Sequence, residues 1–175
     1  MVIRTALRGV KHVDTLTVFS NPGGKRRQMD PFAILGTGSG GGTWLVTDSN
    51  RYLTVHNHSS RTVFVALCGG RDSHAVGWCA FADGEGRTVP IAVPRNGWDT
   101  VCLFARTADG GWSIGGTEKF YVAQPRGGDA LRQGLSFQVK NARTQSPSMV
   151  AGAGELRIVG GIGIPMRGDV SYRIG

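Results

Sequence analysis

Apolar and polar positions alternate along most of the stretch from Leu53 to Val122. The alternation comes in short runs, and turn residues such as Ala82-Asp83-Gly84 separate one run from the next. A period of two residues is typical of antiparallel strands that bury one face. Extended to the whole chain, the pattern predicts strands at 2–7, 13–19, 44–46, 51–56, 61–68, 76–81, 87–93, 98–106, 119–122, 135–140, 155–159 and 169–174.

Two details refine the predicted strands. Pro90 lies inside the strand at 87–93, and proline cannot donate to a central ladder, so this strand is expected at a sheet edge or at a bulge. Residues 48–50 are expected to form a turn, and the glycine-rich residues 159–168 are expected to join the last two strands.

The helical signal is weak everywhere. The single candidate is the segment 125–134, where Asp129 could cap a short turn that Gly134 ends. The sequence therefore predicts an all-β fold with little helix. We expect one antiparallel β-sandwich domain, of jelly-roll or related type, over residues 1–175, with roughly ten to twelve short strands.

Composition agrees with this fold. A chain of 175 residues can bury a real core, and its 28 glycines favour tight turns over helices. No apolar run approaches the roughly 20 residues that a membrane-spanning helix needs. The N-terminal residues also lack the apolar centre of a signal peptide. We therefore expect cytoplasmic synthesis, with incorporation into a particle or a surface assembly.

The chain is basic, with 20 basic and 12 acidic residues and a net charge of +8. The charges are scattered, apart from the cluster Lys25, Arg26 and Arg27. Such a balance fits either a solvated basic surface or contact with a polyanion, nucleic acid or acidic glycan. These three residues are the candidate polyanion-binding site.

Three cysteines, Cys68, Cys79 and Cys102, lie in strand-like apolar runs without CxxC spacing. We expect them to be buried free thiols that pack as small hydrophobic side chains. One disulfide among them stays open as an alternative, and the sequence does not say which pair would form it.

The block 53–122 resembles an uncharacterised family of small bacterial β-domains, many of them exported. The resemblance is carried by Asn57 with Ser59 and Ser60, by Gly77-Trp78, by Gly84-Glu85 before Arg87-Thr88, by Phe104-Ala105, and by Asp109-Gly110-Gly111-Trp112 before Gly115. It implies a fold and no chemistry, because these are turn and core residues. The family tends to have a cysteine where Gly86 stands, so its disulfide is not carried over.

The segment from Val55 to Thr62 is also faintly similar to the second-strand region of the actinoporin and fungal fruit-body lectin sandwiches. The aromatic lipid-headgroup cluster and the amphipathic N-terminal helix of actinoporins are missing from this sequence.

A chymotrypsin-like hydrolase is the sharpest catalytic alternative. His56 follows a strand as a catalytic histidine would, and Asp99 opens another strand downstream. The mechanism also needs a Ser or Cys on a glycine-rich turn, whose N–H groups form the oxyanion hole. No serine after Asp99 lies in such a setting. We therefore assign no catalytic residue and predict that the chain is not an enzyme.

His56 and His58 form an i, i+2 pair to which His74 could add a third zinc ligand. The sequence places no acidic or cysteine ligand beside them, and an exposed strand end explains the pair equally well. We assign no metal and no cofactor. Arg167-Gly168-Asp169 spells an integrin-binding tripeptide, but it falls where a turn before a strand is expected.

Tryptophans beside glycine turns are the candidate ligand-binding residues. Trp78, Trp98 and Trp112 could stack on sugars or bases, and Arg71 and Arg95 lie in neighbouring predicted turns. Packing in the core is the alternative for each tryptophan.

Together these features favour a non-catalytic structural or binding module. We expect a self-assembling or particle-associated subunit, of a virion, a phage or a surface assembly, which forms a homo-oligomer or a larger assembly. A monomeric lectin-like module for glycans or anionic surfaces is the first alternative, and the hydrolase is the second.

Overall fold

The computed structural model describes residues 48–70, 73–94, 99–124 and 136–175. These residues form strands and no helix, and the eleven strands are β1 (Asp48–Asn57), β2 (Val63–Gly69), β3 (His74–Phe81), β4 (Gly86–Pro94), β5 (Thr100–Arg106), β6 (Ser113–Ile114), β7 (Glu118–Gln124), β8 (Phe137–Lys140), β9 (Ser148–Ala151), β10 (Glu155–Pro165) and β11 (Val170–Ile174). The predicted all-β class is confirmed. The strands predicted at 2–7, 13–19 and 44–46 and the helix predicted at 125–134 lie outside the described residues. Nowhere in the described ranges is there a helix long and apolar enough to span a membrane.

The smaller of two sheets has three strands in the order β11-β1-β4. β1 lies in the centre, antiparallel to β4 and parallel to β11. β4 contains Pro90 and occupies an edge of this sheet, as predicted. An edge strand tolerates proline because half of its N–H groups need no partner strand.

The larger sheet follows the order β7-β10-β5-β2-β3-β8-β9, and β6 pairs with one end of β5. This sheet curls until its distant strands meet. The backbone N–H of Tyr121 in β7 donates to the carbonyl of Ala142, just beyond β8, at 2.8 Å. The curl therefore covers one face of the central strands, while the small sheet packs on their other face.

Two hydrophobic cores result. The outer core lies between the sheets, and its buried residues are Leu53, Val55, Val63, Val65, Leu67, Val76, Cys79, Phe81, Val89, Ile91, Val93, Val101, Leu103, Ala105, Ile164, Met166 and Ile174. The inner core lies inside the curl, and its buried residues are Phe64, Ala66, Cys68, Ala75, Trp78, Cys102, Phe120, Val122, Ala123, Phe137, Val139 and Ala142. Successive residues of β2 enter the two cores in turn, so every residue of this strand is buried.

Two predicted boundaries are corrected, and two short strands are added. Residues 48–50 continue β1 instead of turning, because Asp48 pairs with Pro94 at the far end of β4. The glycine-rich segment after Val159 continues β10, whose later residues 162–165 pair with β5. The short strands β6 and β9 were not predicted, since neither carries an alternating run of useful length.

Candidate functional site

Trp78 was a candidate ligand-binding residue, and the structure places it in the inner core. Its side chain is 4% exposed, and the indole N–H donates to the carbonyl of Ala123 at 2.9 Å. The rings of Phe104 and Phe137 contact it edge-on, with centroids 6.1 and 5.6 Å away. Trp78 therefore offers no open ring face to a ligand, and its position is explained by packing.

Trp112, the second candidate, is half-buried against the outer core. The guanidinium of Arg61 lies 5.7 Å from the centre of its ring, a cation–π contact within the chain. A nearby open cavity of about 320 Å³ is lined by Thr62, Phe64, Thr107, Ala108 and Asp109. Trp112 does not line this cavity, although its backbone N–H donates to the hydroxyl of the lining residue Thr107 at 3.2 Å.

The remaining candidates cannot be placed. Trp98, Arg71 and Arg95 lie outside the described residues, as does the basic cluster Lys25, Arg26 and Arg27. Their proposed roles in ligand and polyanion binding stay predictions from the sequence.

His56 and Asp99, the residues that suggested a hydrolase, are engaged with different neighbours. The ring of His56 stacks on that of His58, with centroids 6.1 Å apart. The carboxylate of Asp99 accepts the backbone N–H groups of Gly70 and Thr100, each at 2.8 Å. Asp99 thus joins the residue that follows β2 to the start of β5, and both of its carboxylate oxygens are used in doing so.

The histidines do not form a three-ligand set. His74 is buried in β3, in the large sheet, whereas His56 belongs to β1 of the small sheet. Within the described ranges, no group of three His, Cys, Asp or Glu side chains could hold a metal ion.

The outward surface of the small sheet is a continuous polar surface. Leu53 and Val55 of β1 point into the outer core and Asn57 is buried on the same side, so the alternate residues of this strand and of its neighbours point away from the core. We call this surface the polar face, and its members are Tyr52, Thr54, His56, Thr88, Pro90, Ser171 and Arg173.

Cross-strand rows organise the polar face. In one row Thr54 lies between Thr88 and Ser171, and the hydroxyls of Thr54 and Thr88 are 2.9 Å apart. In the next row His56 lies beside Arg173, which is exposed. The other neighbour of His56 is Gly86, where a Cβ atom would collide with the imidazole ring. The absence of a side chain at Gly86 therefore makes room for the ring of His56.

Sequence reasoning missed Tyr52, Thr54 and Arg173 as candidates. The signal was present in the alternation that predicted the strands, because every second position of 51–56 and 169–174 had to face away from the core. What the sequence did not supply was the pairing of these two segments, which are far apart in the chain.

Cys68 and Cys102 lie directly opposite each other on β2 and β5. All three cysteines are buried and free, as expected. Burial raises the pKa of the Cys68 thiol to about 12, although the nearby Arg143 opposes the shift. Burial likewise raises the pKa of Cys102. These thiols are therefore neutral and poor nucleophiles near neutral pH.

Arg143 ties the ends of β2 and β5 together beside the two thiols. Its guanidinium donates to the carbonyl of Cys68 at 3.1 Å and to that of Thr100, and lies 3.7 Å from the carboxylate of Asp99. Every one of these partners is backbone or part of a turn. Arg143 and these partners therefore stabilise the fold by holding the ends of β2 and β5 together, and the two thiols beside them are buried.

Asn57, one of the residues in the family resemblance, is a fully buried hydrogen-bonding centre. Its amide nitrogen donates to the carbonyls of Arg61, Phe81 and Ala82 at 2.7–3.0 Å. Its side-chain oxygen accepts the backbone N–H of Ser59 at 3.0 Å. The residue fixes two loops to the end of β1, which is a role in folding.

No family model, no curated protein and no solved structure matches the chain.

Proposed function

We propose that this chain is a non-catalytic structural subunit that assembles with copies of itself through open strand edges. The observation that carries the proposal is the edge strand β9, which ends the large sheet. On one side β9 pairs with β8, and none of the other described strands pairs with its outer side. An open edge presents N–H and C=O groups that can extend the ladder into a second chain.

The exposure and the composition of β9 favour pairing with a strand of another chain. Val150 is 51% exposed, one of two large hydrophobic side chains that are so exposed within the described residues. Natural proteins protect monomeric edges with charges, especially lysine, or with proline. The eleven residues 144–154 carry no charge, and β9 itself contains no proline.

A second copy is the partner that fits this edge best. In a two-fold symmetric contact each residue faces its own equivalent or a near neighbour, so a charged strand would repel itself. The uncharged segment 144–154 avoids that repulsion. Two β9 strands could pair antiparallel and join their large sheets into one.

A second open edge would allow assembly beyond a dimer. β11 ends the small sheet and also lacks proline, whereas β4 at the opposite edge contains Pro90 and Pro94. A single two-fold contact produces a dimer and nothing larger. If the β9 contact is two-fold, a larger particle therefore needs a second, different contact on each chain.

The test is to replace Val150 with lysine. The molar mass of the full chain is measured by size-exclusion chromatography with light scattering in 1 M salt. The wild type is expected at a multiple of the 18.6 kDa chain mass, since contacts made by backbone pairing and apolar burial survive salt. V150K is expected to lower the mass by at least one step of assembly.

The matched control is Ile158→Lys. Ile158 is 55% exposed, but it lies in β10, which pairs with β7 inside the large sheet. I158K removes a similar apolar side chain and should leave the mass unchanged. A wild type that is monomeric at all concentrations would overturn the proposal, and so would equal losses of mass in the two variants.

A further inference from the structure

The polar face has the charge of an anion-binding surface. Arg173 is its one residue with a permanent charge, and the imidazole of His56 lies in the adjacent position, stacked on exposed His58. No member of the polar face is acidic. A guanidinium beside N–H donors is the combination that proteins use to bind phosphate oxygens.

The carboxylates at the rim of the face are directed toward other groups. At one end Asp83 accepts the N–H of Ser60 at 3.0 Å. Glu85 accepts the N–H of Ala82 at 2.7 Å and also pairs with Arg87. At the other end Asp169 accepts the N–H of Tyr52 at 2.9 Å. These acids keep their charge, but none of the ion pairs among the described residues includes Arg173.

Planar rings flank the hydroxyl row of the same face. Tyr52 and His56 lie on one strand, four residues and therefore about 13 Å apart. Thr54, together with Ser171 on β11, places hydroxyl donors between them. A strand of nucleic acid alternates flat bases with phosphates, and proteins bind it with aromatic rings interleaved with cationic and hydroxyl groups.

We infer that the polar face binds single-stranded nucleic acid, with Arg173 on a phosphate and Tyr52 and His56 against bases. The composition of the chain agrees, since its net charge is +8 and residues 1–47 contribute six basic and two acidic side chains. This surface lies on the small sheet, whereas β9 ends the large sheet, so nucleic-acid binding is separate from the β9 contact that Val150→Lys tests.

The experiment is a titration of the full chain against a fluorescent oligothymidylate of about 12 nucleotides, followed by anisotropy at several salt concentrations. Tyr52→Leu is expected to weaken binding about tenfold, because a stacked base is lost. Arg173→Gln is expected to weaken binding less and to reduce the slope of log affinity against log salt by about 0.7, the value for one phosphate contact on a single strand.

Two controls separate this site from general attraction to a polyanion. Arg157→Gln removes an exposed arginine from β10 of the large sheet and should leave affinity within twofold of wild type. Heparin, which has negative charge but no bases, should bind Y52L as well as it binds the wild type. Replacing Lys25, Arg26 and Arg27 together with glutamine should leave the tenfold effect of Y52L intact.

The inference is overturned if Y52L and R173Q bind the oligonucleotide like the wild type. It is also overturned if Y52L weakens heparin binding by the same factor, because the face would then recognise charge without bases. Light scattering on the same samples reports assembly independently. Loss of nucleic-acid binding with assembly intact, or the reverse, therefore identifies which proposal has failed.

Discussion

Asn57 shows how one residue holds several segments of the chain. Its amide group is fully buried and bonds to Arg61, Phe81 and Ala82 through the nitrogen and to Ser59 through the oxygen. The bonded carbonyls come from the loop after β1 and from the end of β3 with the loop that follows it, so one amide joins two separate segments. A buried polar group without partners costs about 1–3 kcal/mol, which makes such a centre costly to remove.

Asn57→Ala is accordingly expected to lower the free energy of unfolding by about 3 kcal/mol, because the buried carbonyl of Phe81 and the partly buried carbonyls of Arg61 and Ala82 lose their donor at once. Urea denaturation measures the loss. Asn50→Ala is the matched control, since Asn50 belongs to the same strand but is exposed, and it should cost less than about 0.5 kcal/mol. A loss for Asn57→Ala no larger than for the control would contradict this role.

The glycine-rich part of β10 lies in close contact with the backbone of the segment between β6 and β7. Gly115 and Gly116 pass directly over Gly160 and Gly161, and the N–H of Gly116 donates to the carbonyl of Gly160 at 3.1 Å. A Cβ atom at Gly160 would collide with the carbonyl oxygen of Gly116. The glycines permit two backbones to touch, so this segment is a strand despite its composition.

Gly160→Ala is therefore expected to destabilise the fold by about 1–3 kcal/mol, as overpacking does, with the change read from the thermal midpoint. Gly168→Ala provides the comparison, because a Cβ atom at Gly168 would meet nothing within 4 Å. Equal thermal midpoints for the two variants would show that residues 115–116 can move away from residues 160–161 at no cost, which would contradict this prediction.

The same elements show how far the sequence could be read. Alternation located most of the described strands and Pro90 identified an edge, because these signals depend only on neighbouring residues. Which strand pairs with each edge of β1 depends on contacts between segments that are far apart in the chain. Alternation, which reports only neighbouring residues, does not predict such pairing. The polar face was missed for this reason, and Trp78 was placed beside a turn when its ring fills the inner core.

At the scale of the whole molecule, the two cores share one set of strands. β2 sends Val65 and Leu67 into the outer core and Phe64 and Ala66 into the inner one. If either core came apart, one face of β2 would lose the side chains that pack against it. The described part of the chain should consequently unfold as one cooperative unit.

Leu103→Ala in the outer core and Phe120→Ala in the inner core test this cooperativity. Each should lower stability by about 3–5 kcal/mol and shift one common urea transition, followed by tryptophan fluorescence and by circular dichroism. A variant in which the two signals change at different urea concentrations would mean that the cores unfold separately.

The position of β1 between β4 and β11 has a consequence for folding kinetics. Thr54 and Thr88 are 34 residues apart, whereas Tyr52 and Asp169 are 117 residues apart. The longer loop costs about 1 kcal/mol more entropy to close, so β11 is expected to dock after β4. Until it does, one side of β1 stays open, and Ile174 is missing from the outer core. The lifetime of that intermediate, more than native stability, would then decide how often a chain aggregates before it folds.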